Sequence, residues 1–204
     1  MQHTHTWRDS RTGGSASPGG SASPGDTRSE NHRLENLLGA FASAVADRVA
    51  EATATAAGQG GGAPAALVQI ADHREVTIEE LRRRIGLTHS SVVRLIDRLA
   101  ARGLVRRGRG QADARTARLS LTPSGAATAA AVLEARSAVL GQVAGRLSAA
   151  GRGDLESLLD QLLLDEPLSS EHASLLCRLC CLRDCPTDRC PVEQRYRQLR
   201  SHGR

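Results

Sequence analysis

The chain has 204 residues, 40% of them hydrophobic, with 27 basic against 22 acidic side chains and a net charge of +5. That length holds one domain of ordinary size plus tails, and the basic balance is compatible with a polyanionic partner without requiring one. No run of 18 apolar residues occurs and the N-terminus lacks an apolar signal-peptide core, which argues against a membrane-spanning helix or secretion and points to a cytoplasmic protein with no membrane partner.

Residues 1–30 read as a disordered arm. The hexapeptide Gly-Gly-Ser-Ala-Ser-Pro runs from Gly13 to Pro18 and again from Gly19 to Pro24, and such a segment has almost no apolar surface to set against its ordering entropy. A first helix is expected from about Asn31, where Leu34, Leu37, Leu38, Phe41, Val45 and Val49 recur at helical spacing. The glycine run from Gly58 to Gly62 ends it, and Pro64 opens a short second helix carrying Leu67, Val68 and Ile70.

A compact helix pair follows. Thr77 with Glu80 three residues later forms a capping box, Leu81 and Ile85 supply the inner face, and Gly86 closes the helix. Thr88 caps the next helix, which runs through Val92, Leu95, Ile96 and Leu99 toward Gly103. Two short helices joined by a Gly-containing turn are the signature of a helix-turn-helix. Beyond Gly103 the period changes: Leu104 and Val105 lead into a basic, glycine-bearing stretch, and Arg118-Leu119-Ser120-Leu121 alternates as a strand does. This is a β-hairpin wing. Thr122 and Pro123 begin a long Ala-rich helix through Val132, Val139, Leu140, Val143 and Leu147, and Asp154 is read as the cap of a last helix bearing Leu155, Leu158, Leu159, Leu162 and Leu163. The fold class is therefore mainly α: a winged helix-turn-helix with a helical dimerisation lobe and a short β-hairpin wing. The domain spans 31–165, with helix-turn-helix and wing at 77–122.

The first turn of a recognition helix must be small and polar to approach base edges in the major groove. Thr88, His89, Ser90 and Ser91 fit, although His89 reads equally well as a plain surface histidine. Arg94 and Arg98 lie four apart on the face away from Val92, Ile96 and Leu99, within reach of a guanine edge or a phosphate. Arg107, Arg109 and Arg118 suit phosphates, which position without specifying. Every Lys or Arg position in the chain is Arg, a permanently charged group with a bidentate fork, though a genome rich in G and C accounts for the missing Lys as well. Asp97 reads as structural, tying the helix to a nearby Arg.

The run LTHSSVVRLIDRL from Leu87 to Leu99, the following ARGLV, the Asp113-Ala114-Arg115 element and the closing RLSLT together resemble the MarR family of winged-helix regulators, over roughly Leu34 to Leu163. That resemblance implies a homodimer whose first and last two helices form the interface. It implies effector sites between that interface and the DNA-binding lobe, and an Arg115 at the wing tip that enters the minor groove with Asp113 orienting it. A narrow minor groove attracts Arg. The expected function is a sequence-specific transcriptional regulator, a repressor binding double-stranded DNA at a pseudo-palindromic operator, with a small-molecule or redox effector. Phe41 and Tyr196 are the single Phe and Tyr, and Trp7 lies in the arm, which makes an aromatic effector pocket unattractive. No Ser-His-Asp or Cys-His arrangement, phosphate loop or dinucleotide fingerprint appears, so an enzyme is not expected. The alternative is a metal- or redox-binding interaction protein that has no operator of its own.

That alternative draws on the tail. Residues 169–198 hold all five cysteines, and Cys177, Cys180, Cys185 and Cys190 follow C-x2-C-x4-C-x4-C, with Cys181 spare. Three chemistries fit: a tetrahedral zinc site, as in a knuckle with Cys in place of its His but without the knuckle's glycines and aromatic; an iron–sulfur cluster, suggested by the Cys-Pro pairs at Pro186 and Pro191; or a metal-free thiol switch tuned by Arg178, Arg183 and Arg189.

Overall fold

The computed structural model describes residues 24–73, 75–109, 117–164, 169–181, 185–186 and 188–202. These fall into two units, one ending at Phe41 and one running from Ala42 to the C-terminus. The first unit is the N-terminal part of helix α1 (Pro24–Ala57). The helix begins several residues before the expected Asn31, because Asp26 to Glu30 contain nothing that breaks a helix. Leu34, Leu37, Leu38 and Phe41 are all exposed on it.

In the second unit, α1 stops at Gly58, which adopts the left-handed conformation. Helix α2 (Ala63–Asp72) is almost wholly buried and packs on α5 (Pro123–Ala144), on α3 (Ile78–Ile85) and on strand β3 (Ala117–Leu121). Helix α4 is His89–Ala101. Leu67, Leu81, Val92, Ile96, Leu99, Leu119 and Val132 are fully buried and form one core. Each such side chain contributes about 1.5–3 kcal/mol over its exposed state, which locks α4 by its inner face.

The capping signals hold. Thr77 accepts from the Glu80 amide at 3.1 Å while Glu80 accepts from the Thr77 amide at 2.8 Å. Acidic Glu79 and Glu80 lie in the first turn of α3 and Arg82, Arg83 and Arg84 in the last, matching the helix dipole at both ends. Gly86 then takes φ +67° and returns its amide to the Arg82 carbonyl.

The wing is larger than a hairpin. Strand β2 (Val105–Arg109) pairs antiparallel with β3, Arg107 opposite Leu119, and a two-residue strand β1 (Val76–Thr77) pairs on the other edge of β3, giving the order β1-β3-β2. Val76 is buried there, so β1 both completes the sheet and launches α3. Thr122 caps α5, its hydroxyl accepting from the Gly125 amide at 3.0 Å and donating to the Gly103 carbonyl at 2.6 Å.

Helix α6 spans Ala149–Leu164, five residues earlier than the expected cap at Asp154. Ser148 is the residue that accepts from an amide there, that of Gly151 at 3.1 Å. Gly151 and Gly153 are weak helix formers, but Ala149 and Ala150 with the Ser148 cap carry the helix through them. Leu158, Leu159 and Leu162 stay exposed on α6. The tail is not a separate appendage. Helix α7 (Ser170–Leu176) packs on α3, helix α8 (Pro191–His202) on α6, and Leu179 joins the core. Among the described residues no helix is long and apolar enough to cross a membrane.

Candidate nucleic-acid interface

Capping and packing together set the outer face of α4. Thr88 accepts from the Ser91 amide at 3.3 Å, and its hydroxyl donates to Ser91 Oγ at 2.8 Å. Thr88, His89 and Ser90 are exposed and Ser91 is half-buried, so the first turn presents small polar groups with its backbone N–H groups nearby, a setting favourable to a phosphate. His89 Nδ1 lies 3.9 Å from Glu79, one helix back. Glu79 is held below the usual carboxylate range, chiefly by the hydrogen bond from Arg82, which leaves a negative group beside His89.

Arg94 and Arg98 are exposed, whereas Val92, Leu95, Ile96 and Leu99 between them are 0–2% exposed. The two guanidiniums therefore share the one face the core leaves free. The wing arginines are arranged differently. Arg107 Nη2 donates to Asp97 Oδ1 at 2.7 Å, joining β2 to α4. Arg118 Nη1 donates to the Glu75 carbonyl at 2.8 Å and lies 3.8 Å from Glu80; it braces β3 against the start of α3. Arg109 ends β2 opposite Ala117. The wing tip, with Asp113 and Arg115, lies outside the described residues.

The cysteines stand as pairs. Cys177 and Cys180 share a side-chain hydrogen bond, as do Cys185 and Cys190. All five cysteines are half-buried with free thiols. Among the described residues no three His, Cys, Asp or Glu side chains are grouped as a metal site. Cys180 is pulled down to about 6, first by the hydrogen bond with Cys177 and then by the charge of Arg136 on α5, against burial and Asp72. Cys177 is pushed up by that same hydrogen bond, by burial and by the nearby Cys180, Cys190 and Cys185. Burial and Cys190 push Cys185 up to about 11. Arg136 carries no local sequence signal for this role, because it meets Cys180 only through tertiary packing.

Residues 62–116 match the family model described as the MarR family. No curated protein matches the chain in sequence. Solved structures do match in fold. The YusO protein from Bacillus subtilis aligns with a TM-score of 0.61 at 21% identity, over 71% of this chain and 100% of that one. Wild-type MarR (apo form) from E. coli gives 0.52 at 22% identity, over 62% and 96%. A probable transcriptional regulator from Pseudomonas aeruginosa gives 0.50 at 26% identity, over 63% and 98%.

Proposed function

We propose that this chain, which has the fold of the MarR-family transcriptional regulators and matches their family model over residues 62–116, binds double-stranded DNA as a homodimer at a pseudo-palindromic operator and represses the genes beside it. The observation that carries the reading is the outer face of α4. A capped, small and polar first turn leads to Arg94 and Arg98, all held outward by a fully buried inner face. A helix built this way enters the major groove with its N-terminus leading, and an Arg there meets guanine O6 and N7 with two hydrogen bonds. Ser90 and the amides of the first turn take a phosphate, and the wing flanks the same groove.

The exposed leucines on α6, and separately those on the N-terminal part of α1, favour the dimer, because exposed apolar stretches mark interaction sites. Two copies related by a two-fold axis would set half-sites about one helical turn of DNA apart. The competing reading, an interaction protein without an operator, is disfavoured by a recognition face that keeps both of its arginines.

Selection of bound duplexes from a random library, followed by affinity measurement over a salt series, tests the proposal. The expected result is one enriched palindromic motif. It should bind at least about a thousandfold more tightly than random duplex, with affinity falling steeply as salt rises. Failure to enrich any motif, with folded protein, would overturn it.

A further inference from the structure

We infer that Cys177 and Cys180 form a redox-active dithiol that exchanges with low-molecular-weight disulfides and closes to an intramolecular Cys177–Cys180 disulfide. The geometry is local and nearly complete. The Cys180 amide donates to the Cys177 carbonyl at 2.9 Å, a four-residue turn that brings its end Cα atoms within about 7 Å, the upper end of what a disulfide spans. The two sulfurs already share a hydrogen bond.

The residues between them hold the turn in place. The Arg178 carbonyl accepts at 3.3 Å from the Gln69 amide nitrogen, and Gln69 is 2% exposed. Arg178 Nη1 donates back to the Leu175 carbonyl at 2.6 Å. Leu179 packs into the core. Closing the disulfide therefore requires little rearrangement of the chain.

The surroundings differentiate the two thiols. Arg136 and Asp72 lie near Cys180, whereas Cys177 has Cys180, Cys185 and Cys190 near it, and the attacking group in exchange is a thiolate. In the first step Cys180 attacks one sulfur of a small disulfide X–S–S–X. The Cys180–S bond forms, the S–S bond breaks, and one X–S⁻ leaves to be protonated by solvent. In the second step Cys177 loses its proton to solvent and attacks the Cys180 sulfur, forming the Cys177–Cys180 bond and expelling the second X–S⁻. Two thiols and X–S–S–X become one protein disulfide and two X–SH, a transfer of two electrons.

The test is a redox titration of the full chain with oxidised and reduced glutathione, quenched with acid and read by alkylation and peptide mass. The expected product is a Cys177–Cys180 disulfide with the other three thiols still alkylated. Cys177→Ser should stop at glutathione attached to Cys180, and Cys180→Ser should slow the reaction at pH 7 by on the order of tenfold, since the attacking sulfur is gone. Glutathione spread evenly over all five cysteines, or a disulfide mapped to another pair, would overturn the inference. So would about one zinc per chain that keeps the thiols unreactive until it is chelated.

Discussion

Arg107 of the wing donates to Asp97 of α4 at 2.7 Å, which places a carboxylate on the exposed face of α4 that also carries Arg94 and Arg98. Both partners are substantially exposed, at 40% and 56%, and an exposed pair of this kind contributes about 0–1 kcal/mol to stability. On the proposed function its larger effect is on the charge available to DNA.

Asp97→Asn should therefore leave the urea midpoint nearly unchanged while tightening binding to random duplex at low salt. Freeing one more guanidinium for phosphate raises the slope of log affinity against log salt by about 1. A large loss of stability would instead mean that the pair holds the wing in place.

Gly125 sits in the first turn of α5, where a Cβ would run into the backbone carbonyl of Leu104. By helix propensity alone Gly→Ala stabilises by about 1 kcal/mol. Here the contact is with backbone, which cannot rotate away, so Gly125→Ala should destabilise by about 1–3 kcal/mol, as overpacking does. The sign of the change in denaturation midpoint decides between the two effects.

These two residues mark what the sequence discloses and what it hides. The Thr77–Glu80 box, the left-handed Gly86, the Thr88 cap and the Thr122-Pro123 start of α5 are all local, and each was legible because its partner lies within four residues. The start of α6 lies ahead of the expected Asp154 cap, because Ser148 caps the helix and Ala149 and Ala150 open it before the two glycines. Strand β1 is too short to alternate, so only its pairing with Leu119 and Arg118 reveals it. The seat of the tail is wholly non-local: a methyl of Leu175 lies 2.6 Å from where a Cβ on Gly86 would stand, a fit no pattern within either segment announces. The recognition face was legible, because burial periodicity alone separates Arg94 and Arg98 from Val92 and Ile96. The engagements of Arg107 with Asp97 and of Arg118 with Glu75 were not equally so: Asp97 offered a hint and Glu75 none.

The capping box makes stability depend on pH through Glu80. Its carboxyl is held below the ordinary value, first by the Thr77 amide, then by the Thr77 hydroxyl, with Arg118 and Arg84 adding less and burial opposing. A carboxylate with a lowered folded pKa contributes stability above its unfolded value, near 4.5, and loses that contribution as pH falls through the folded value. The stability gap between wild type and Glu80→Gln should thus be widest near neutral pH and close on acidification below about 4. Thr77→Ala should cost about 1 kcal/mol at neutral pH. A gap that stays constant from pH 7 to pH 3 would remove the charge from the cap's role.

Arg98 and Arg115 should separate by the kind of loss they cause. Arg98→Ala on the exposed face of α4 should cost about 1–3 kcal/mol in operator affinity and relax preference at one base position. By the family resemblance Arg115 reads the minor groove, so Arg115→Ala should cost a similar amount and relax preference for A·T over G·C at the flanks. Affinities for a panel of single-base variants at matched salt distinguish these from a uniform phosphate loss. An unchanged affinity would remove that arginine from the reading set.

The oligomeric state is the broadest test of the proposed regulator. Leu34, Leu37, Leu38 and Phe41 on α1 are 50–65% exposed, and Leu158, Leu159 and Leu162 on α6 are 47–58% exposed. On each helix taken by itself, large apolar side chains recurring at helical spacing are more than the scattered exposures of an ordinary surface. In an isologous interface every residue occurs twice, so one substitution removes two contacts. Burying a leucine contributes about 1.5–3 kcal/mol; Leu158→Glu should thus weaken a dimer by about 3–6 kcal/mol or more, with two carboxylates to desolvate as well. Sedimentation at micromolar concentration should show a dimer for the wild type and a folded monomer for Leu158→Glu. That monomer should bind a single half-site weakly and the full palindrome no better, because the gain from joining two half-sites is lost. A wild-type monomer under these conditions would remove the two-fold operator from the model, and a Leu158→Glu dimer of undiminished stability would place the interface on another face.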